Sequence, residues 1–284
     1  MTTTDRSTER ATERSATEQR RVTTRRGIAV EVAVTGPVDG MPVVFLHGVV
    51  GPLGGEPLSA ALGEAGYRVH APVWPGYSDT ALGEEQIEDM LDFALHGADI
   101  VEALHLGRAP HLVGHSMGAM IVAEMAALAP GAYDRVVLIA PLGLWLDAHP
   151  ITDIYTLLPF EFPQVLFHDP AAGTAMMTGG STVDFGDPQA IQRFLIGNSR
   201  RLGTAGKILF PIPNRRLSKR LYRITNPALI VWGDDDRLLP APYATAWSSA
   251  LPHATTVTVA EAGHMVPYEQ PDDVAAALTS FFAT

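Results

Sequence analysis

The chain of 284 residues contains no cysteine and only two lysines. Without cysteine, neither a disulfide framework nor a thiolate metal site can form, and a reducing cytoplasm is the expected compartment. No apolar run approaches the roughly 20 residues that are needed to span a bilayer, and the N-terminus lacks the apolar core of a secretory signal. A soluble protein without a membrane partner is therefore predicted.

Positive charge is scarce as well, since the formal net charge at pH 7 is −11. Binding to phosphate backbones needs a coherent basic surface, so nucleic acid is not expected as a partner. Eight of the 20 basic residues nevertheless lie between Arg200 and Arg223, a stretch without any acid. This cluster admits three interpretations: a solvated surface, a contact with an anionic substrate or carrier protein, and self-association. The sequence leaves the oligomeric state open.

Residues 1–26 are rich in threonine, serine, arginine and glutamate. Such a segment buries too little apolar surface to offset its ordering entropy, so we predict a disordered N-terminal tail. From residue 27 the pattern changes, and short apolar runs alternate with helical patterns, among them a long amphipathic helix over residues 84–106. The runs that predict strands are residues 28–34, 43–46, 68–72, 111–114 and 136–140. Strands that alternate with helices predict an α/β fold with a mostly parallel, doubly wound sheet.

The alternation stops after Pro141 and resumes near residue 223. Residues 142–222 are irregular and rich in proline, glycine, phenylalanine and methionine. So long an interruption inside an α/β domain is usually functional when it is ordered. We therefore predict an inserted, largely helical lid at residues 142–222 on a core of residues 27–141 and 223–284. In the second part of the core, residues 228–232 and 256–259 predict strands, and residues 272–282 predict a closing helix.

Residues 111–118, His-Leu-Val-Gly-His-Ser-Met-Gly, join an apolar run to helix-forming residues through a Gly-x-Ser-x-Gly turn. This is the pattern of a nucleophile elbow, in which a strained strand-to-helix turn exposes the serine hydroxyl. Gly114 and Gly118 are needed because larger side chains would collide in so tight a bend. Ser116 is thus a candidate nucleophile, although the same pattern also occurs in ordinary glycine-rich turns. The surrounding chain must decide between the two.

A serine hydroxyl is a weak nucleophile that needs a base, and the base needs a group that orients it. Two stretches that follow apolar strands offer these groups: residues 232–240, Trp-Gly-Asp-Asp-Asp-Arg-Leu-Leu-Pro, and residues 262–267, Ala-Gly-His-Met-Val-Pro. Open α/β sheets place their ligand sites at the carboxyl ends of strands. The sequence therefore offers His264 as the base and Asp234, Asp235 and Asp236 as competing acids.

With these motifs in this order, the chain resembles the lidded serine hydrolases of the α/β-hydrolase fold, a group of esterases, lactonases and C–C hydrolases. The resemblance extends from about residue 27 to the C-terminus. The matching motifs are His47-Gly48, residues 114–118, Gly233-x-x-Asp236 and Gly263-His264. It implies a catalytic triad, the set of three residues that attack, transfer protons and orient. The members it implies are Ser116 as nucleophile, His264 as general base and acid, and Asp236 as orienting carboxylate.

The resemblance also implies an oxyanion hole formed by the backbone N–H groups of Val49 and Met117. The predicted substrate-binding residues are His47, His115, Trp145, Phe160, Phe167 and Met265. The two histidines could instead brace the oxyanion loop and the elbow, and the aromatic residues could pack on one another. Residues 51–55 lack the lysine and the hydroxyl residue of a phosphate loop, and no cluster has metal-ligand spacing. Neither a metal nor a cofactor is predicted.

The implied activity is hydrolysis of an ester, thioester or lactone of a medium-sized, hydrophobic small molecule through an acyl-serine intermediate. Serine at position 116 disfavours the epoxide hydrolases and haloalkane dehalogenases of this fold, which use aspartate. C–C bond hydrolases of ring-fission products share the triad, but commonly have an aromatic residue where this chain has Met265. A perhydrolase or haloperoxidase-like enzyme and a non-hydrolytic ligand-binding protein are the remaining alternatives.

Overall fold

A computed structural model describes residues 17–53, 56–78, 80–81, 83–178, 187–210, 216–251 and 253–284. The strands of these ranges are β1 (Glu18–Thr23), β2 (Ala29–Thr35), β3 (Met41–Leu46), β4 (Tyr67–Pro72), β5 (His111–His115), β6 (Val136–Ile139), β7 (Ala228–Gly233) and β8 (Ala254–Val259). They form one sheet in the order β1-β2-β4-β3-β5-β6-β7-β8. Strands β4, β3, β5, β6, β7 and β8 are parallel to one another, whereas β2 is antiparallel to both β1 and β4. The predicted α/β class with a mostly parallel sheet is confirmed.

Helices cover both faces of the sheet. The α-helices of the described residues are α1 (Pro57–Glu64), α2 (Met90–Ala103), α3 (Met117–Leu128), α4 (Phe162–Leu166), α5 (Pro170–Met177), α6 (Pro188–Leu209), α7 (Pro242–Ala250), α8 (Val266–Glu269) and α9 (Pro271–Phe282). Because side chains alternate along a strand, β3 directs Val43 and Phe45 into the core with α1 and α9. Its Val44 and Leu46 belong to the core on the other face, with α2 and α3.

The disordered tail predicted for residues 1–26 is wrong for the part that the structure describes. β1 pairs with β2 along its whole length, and its side chains are mostly exposed. The tight connection includes hydrogen bonds from Thr24 N–H to the Ile28 carbonyl and from Gly27 N–H to the Thr24 carbonyl. Backbone pairing at the sheet edge therefore orders a segment that buries few side chains, which a composition argument does not count. Residues 1–16 lie outside the described residues.

The long helix predicted over residues 84–106 is shorter in the structure. A 3-10 turn covers Glu84–Gln86, and α2 begins only at Met90. Asp89 has an extended backbone, and its side chain accepts a hydrogen bond from Asp92 N–H at 3.0 Å. This N-cap satisfies a free donor of the first turn and starts the helix here. The apolar periodicity of the sequence continues across Asp89, so the periodicity did not reveal that the helix begins after this residue.

The segment between β6 and β7 contributes no strand in its described residues. Residues 142–222, called the inserted segment below, contain α4, α5, α6 and short 3-10 turns, with residues 179–186 and 211–215 outside the described residues. The largely helical character agrees with the sequence pattern, while its action as a lid stays a prediction. No helix in the described ranges is both long enough and apolar enough to cross a membrane.

Besides His264, five histidines of the described residues are buried, each at most 4% exposed: His47, His70, His96, His111 and His115. Desolvation lowers the pKa of His115 to about 3 and the pKa values of the other four to about 4, from an ordinary 6.5. The folded protein therefore holds these imidazoles neutral at pH values where the unfolded chain protonates them. The difference makes stability depend on pH.

We expect acid to unfold the protein well above the pKa of an ordinary carboxyl group. The stability is fully present above a pH of about 6.5 and falls toward pH 4, by about 1.4 kcal/mol per pH unit for each buried histidine. Glu56 and Glu269, whose pKa values burial raises, act in the opposite direction but are fewer. Urea unfolding at a pH of about 7.5, 6 and 5 measures the slope.

The matched variant for this measurement is His96→Leu. Both ring nitrogens of His96 are buried without a hydrogen-bond partner among the described residues, so leucine of similar size removes the titration without removing a bond. The variant should lose less stability between pH 6.5 and 4 than the wild type, by about 1.4 kcal/mol per pH unit. An identical pH slope in the two proteins would contradict the role of His96.

Candidate active site

Ser116 occupies the turn between the end of β5 and the first residue of α3. Its backbone has φ 56° and ψ −117°, a conformation that residues with a side chain rarely adopt. The turn closes because both flanking residues are glycines. A Cβ on Gly114 would lie 2.5 Å from the Gly118 carbonyl oxygen, and a Cβ on Gly118 would collide with the Leu46 carbonyl oxygen. Strand, turn and helix thus pack closely and place Ser116 at the carboxyl edge of the sheet, where it is only 3% exposed.

The structure brings Ser116, His264 and Asp236 together. Ser116 Oγ lies 2.8 Å from His264 Nε2, and His264 Nδ1 lies 2.9 Å from Asp236 Oδ2. The side chains of His264 and Asp236 are only 2% and 1% exposed. An ionised carboxylate can only accept, so Nδ1–H donates to Asp236 and the Nε2 lone pair faces the serine hydroxyl. The three groups come from loops after β5, β7 and β8, at the carboxyl edge of the parallel strands.

Asp236 is distinguished from its two neighbours by its contacts. Its Oδ1 accepts hydrogen bonds from Leu238 N–H at 2.9 Å and Leu239 N–H at 2.8 Å, which leaves Oδ2 for the histidine. Asp234 is exposed and directs Oδ1 toward Ala262 N–H at 3.4 Å. Asp235 contacts His168 Nδ1 at 3.0 Å and forms an ion pair with Arg237. Of the three competing aspartates, only Asp236 contacts His264.

The predicted oxyanion donors lie on either side of the nucleophile. The oxyanion loop, residues 47–53, follows β3, and its Gly48 is so close to the elbow that a Cβ there would lie 3.0 Å from Ser116 Cβ. Met117 is the first residue of α3, where a backbone N–H has no partner within the helix. Among the described residues, no backbone carbonyl accepts a hydrogen bond from Val49 N–H. Both donors are thus available, and their role as an oxyanion hole stays a prediction.

His47 and His115 brace the loops around the site. His47 Nε2 accepts a hydrogen bond from Trp74 N–H at 3.1 Å, so its Nδ1–H donates to the Gly48 carbonyl at 2.8 Å. His115 Nε2 lies 2.8 Å from the His264 carbonyl and donates to it. Burial lowers the pKa of His47 to about 4 and that of His115 to about 3. Both imidazoles are therefore neutral, and their hydrogen bonds hold backbone groups around the site in place.

A cavity of about 50 Å³ opens onto His264. Its lining combines the oxyanion loop, the loop after β6, the inserted segment and the turn after β7. The described lining residues are almost entirely apolar and include Val49, Leu142, Ile151, Ile154, Phe162, Leu209 and Leu238. Pockets for drug-sized ligands usually measure about 300–1,000 Å³. The site therefore has an apolar interior, and the volume of this cavity is much smaller than that of a medium-sized substrate.

None of the six predicted substrate-binding residues lines this cavity. His47 and His115 serve as braces, Phe160 is 72% exposed, and Met265 is buried at 1% exposure. Trp145 donates its indole N–H to Asp147, and Phe167 packs against Gly173. Contact of these six residues with a substrate stays a prediction, since aromatic composition does not reveal which side chains of an irregular segment face inward.

Local sequence patterns did not predict the aliphatic residues that line the cavity. Two of them are Ile151 and Ile154: Ile151 lies in irregular chain three residues before a 3-10 turn that begins at Ile154. That turn, Ile154–Thr156, is in the structure, and both isoleucines are buried. The contributions of Leu209 and Leu238 depend on the packing of distant segments and left no local pattern.

Part of the basic cluster of residues 200–223 binds other parts of the fold. At least four of its seven described basic side chains bind carboxylates or carbonyl oxygens of neighbouring segments. These contacts are Arg200 to Glu84 at 3.0 Å, Lys207 to the Ile87 carbonyl at 2.7 Å, Arg220 to Glu124 at 2.8 Å and Arg223 to the Ala127 carbonyl at 2.7 Å. Arg215 lies outside the described residues. A contact of this cluster with an anionic substrate or carrier protein stays a prediction.

Comparisons with known proteins identify relatives that match most of this chain. The alpha/beta hydrolase family model matches residues 43–277. The chain is 29% identical over 255 residues to the dihydrolipoyllysine-residue acetyltransferase component of the acetoin cleaving system of Pseudomonas putida, covering 87% of this chain but only 64% of that protein. It is 26% identical over 255 residues to the 2-hydroxy-6-oxo-6-phenylhexa-2,4-dienoate hydrolase of Comamonas testosteroni, covering 83% of this chain and 85% of the relative.

A solved structure of a meta-cleavage product hydrolase from Pseudomonas fluorescens has the same fold. Its TM-score is 0.73 at 21% identity, over 93% of this chain and 97% of that chain. Proteins that resemble the chain in sequence or fold also include a diacylglycerol lipase, a non-heme chloroperoxidase and a carboxylesterase. The match to the family model over most of its length shows that this chain belongs to the alpha/beta hydrolase family.

Proposed function

We propose that the protein is a serine hydrolase that cleaves an ester, thioester or lactone through an acyl intermediate on Ser116. The observation that supports this most strongly is the continuous hydrogen-bond chain from Ser116 Oγ through His264 to Asp236. A buried serine, an imidazole nitrogen within hydrogen-bond distance of it and a buried carboxylate are the parts that activate a hydroxyl group for nucleophilic attack.

In the first half of the reaction, Ser116 Oγ attacks the substrate carbonyl carbon while His264 Nε2 takes its proton. The carbonyl oxygen becomes negatively charged, and the N–H groups of Val49 and Met117 donate hydrogen bonds to it. Asp236 stabilises the positive charge that His264 acquires. When the intermediate collapses, the proton on Nε2 passes to the departing oxygen or sulfur, and an ester on Ser116 remains.

In the second half, water replaces the leaving group. His264 Nε2 takes a proton from the water as its oxygen attacks the acyl carbon, and the same two N–H groups bind the new oxyanion. Collapse returns the proton to Ser116 Oγ and releases the carboxylic acid. The histidine is thus base and acid once in each half, so its neutral form must be present at the start.

The narrow apolar cavity supports a small, uncharged acyl group rather than the medium-sized one that the composition suggested. With p-nitrophenyl esters of graded length, we expect kcat/KM to be highest for acetate or propionate and at least about tenfold lower for octanoate, because each added methylene must displace the packed lining. The decisive screen adds lactones and ring-fission dienones, with Ser116→Ala as the blank.

Two variants sharpen this screen. Leu238→Ala enlarges the cavity and should shift the preference toward longer esters, whereas Leu195→Ala, at a position on α6 that is 50% exposed, should leave the order of chain lengths unchanged. A wild type that prefers octanoate, or a preference that Leu238→Ala does not move, would contradict the assignment of this cavity to the acyl group.

A C–C bond hydrolase is the second candidate. The Comamonas testosteroni relative acts, by its name, on 2-hydroxy-6-oxo-6-phenylhexa-2,4-dienoate, and the same triad could serve that reaction. Turnover of a ring-fission dienone at a kcat/KM above that of every ester in the screen would favour this candidate. The small apolar cavity supports the ester reaction, since such dienones are larger and carry a carboxylate.

A further inference from the structure

The oxyanion loop is held by a tyrosine of α8. Tyr268 is 5% exposed, and its Oη lies 3.3 Å from the Gly51 carbonyl oxygen and 2.7 Å from Glu56 Oε1. Gly51 N–H donates to the Gly48 carbonyl at 3.1 Å, closing a turn that contains Val49. A shift of Gly51 would therefore disturb the turn that contains the Val49 N–H. The contact with Tyr268 therefore restrains the turn that contains one of the two predicted oxyanion donors.

Counting protons shows which state of Glu56 completes these contacts. A phenol has one proton, yet Tyr268 Oη lies beside two acceptors, the Gly51 carbonyl and Glu56 Oε1. If Glu56 is protonated, its O–H donates to Tyr268 Oη and the phenol donates to Gly51, so both contacts are hydrogen bonds. If Glu56 is ionised, the phenol proton goes to the carboxylate, because charge-assisted bonds are the stronger ones. The Gly51 carbonyl then loses its donor.

The surroundings of Glu56 favour the neutral form. Its second oxygen, Oε2, is buried without a hydrogen-bond partner among the described residues. Burial raises the pKa of Glu56 to about 8, partly offset by the hydrogen bond with Tyr268. The other ionisable residue of α8, Glu269, directs its carboxylate to the N–H groups of His168 and Gly263. His115, whose ring lies 6.5 Å from that of Tyr268, stays neutral.

We propose that Glu56 and Tyr268 are positioning residues that hold the oxyanion loop in its working geometry only while Glu56 carries a proton. The inference rests on the proposed function, since it assumes that the Val49 N–H binds the oxyanion. Loss of the proton frees the Gly51 carbonyl and leaves a carboxylate whose Oε2 is buried without a hydrogen-bond partner among the described residues. Neither residue touches the substrate, so the pair acts on kcat through Val49.

The test compares the pH profiles of kcat and KM for a neutral p-nitrophenyl ester in the wild type, Glu56→Gln and Tyr268→Phe. We expect the wild-type kcat to fall above a pH of about 8, by tenfold per pH unit at most, with little change in KM. A glutamine amide can still donate to Tyr268 Oη but cannot ionise, so Glu56→Gln should be slower at neutral pH yet lack the alkaline decrease. Tyr268→Phe should have a lower kcat at every pH. An unchanged alkaline limb in Glu56→Gln would overturn the proposal.

A titration independent of catalysis separates this proposal from the proposed function. With glutamate labelled at the side-chain carboxyl carbon, NMR should detect one carboxyl group that titrates near pH 8 and is absent in Glu56→Gln. If every glutamate titrates below a pH of about 6, the positioning pair is overturned even where turnover is normal. If Glu56 titrates near pH 8 but no substrate is turned over in a Ser116-dependent manner, the proposed function fails and the protonated pair stands.

Discussion

Ser116→Ala should lower kcat for the best p-nitrophenyl ester by about 10⁴-fold to 10⁶-fold, the range found when a nucleophile that works with a general base is removed. Alanine keeps the Cβ that fits the elbow but lacks the oxygen that attacks and the proton that His264 accepts. Alanine and serine both place a Cβ on the backbone at φ 56°, so the variant should fold with the same melting temperature to within a few degrees. Steady-state kinetics and thermal unfolding measure the two effects separately.

The control is a second buried serine. Ser59 in α1 is 5% exposed and its hydroxyl has no hydrogen-bond partner among the described residues, so Ser59→Ala removes an oxygen without removing a bond. Its kcat should stay within about threefold of the wild type, as expected for a site away from the reacting groups. A Ser116→Ala protein that retains a tenth of the wild-type kcat would rule out nucleophilic attack by this serine.

Asp236→Asn should lower kcat by about 10⁴-fold, because an amide at this position imposes the wrong tautomer on His264. The orientation of the amide follows from the structure. The oxygen at Oδ1 accepts hydrogen bonds from Leu238 N–H and Leu239 N–H, so the amide oxygen takes that place and the NH₂ group faces His264 Nδ1. Nδ1 must then accept, the proton moves to Nε2, and the base can no longer take a proton from Ser116.

Asp235→Asn is the matched control for this variant. Asp235 is the adjacent residue in the same turn, but its carboxylate contacts His168 and Arg237 instead of His264. The substitution should change kcat by no more than about threefold. Equal losses in the two variants would show that the turn as a whole matters and that the contact between Asp236 and His264 does not have the proposed role.

The parts of the site that the sequence predicted are those with a local cause. Gly114 is required by contacts within the elbow itself, and Gly118 by the carbonyl oxygen of Leu46 at the end of the adjacent β3. The placement of Asp236 and His264 follows from strand ends that must meet at one edge of a parallel sheet. Spacing and chain order contain this information, so Ser116, Asp236 and His264 lie together in the structure.

The parts that the sequence did not predict depend on contacts between distant segments. β1 is ordered by hydrogen bonds to β2 at the sheet edge, although its own side chains are mostly exposed. The cavity lining combines Val49 with Ile154 and Leu209 from the inserted segment, and no periodicity connects them. A glutamate such as Glu56 is expected at the surface, and only the fold places Tyr268 against it. Local sequence patterns contain no information about such contacts between distant segments.

The central claim is that the Ser116 hydroxyl is the group that becomes acylated. Its most direct test is treatment with a fluorophosphonate, which phosphonylates an activated serine in place of the acyl step, followed by peptide mass spectrometry. We predict one adduct per chain, located on Ser116, absent in Ser116→Ala, and formed much more slowly in Asp236→Asn than in Asp235→Asn. An unlabelled wild type, or an adduct on another residue that Ser116→Ala leaves unchanged, would contradict the account.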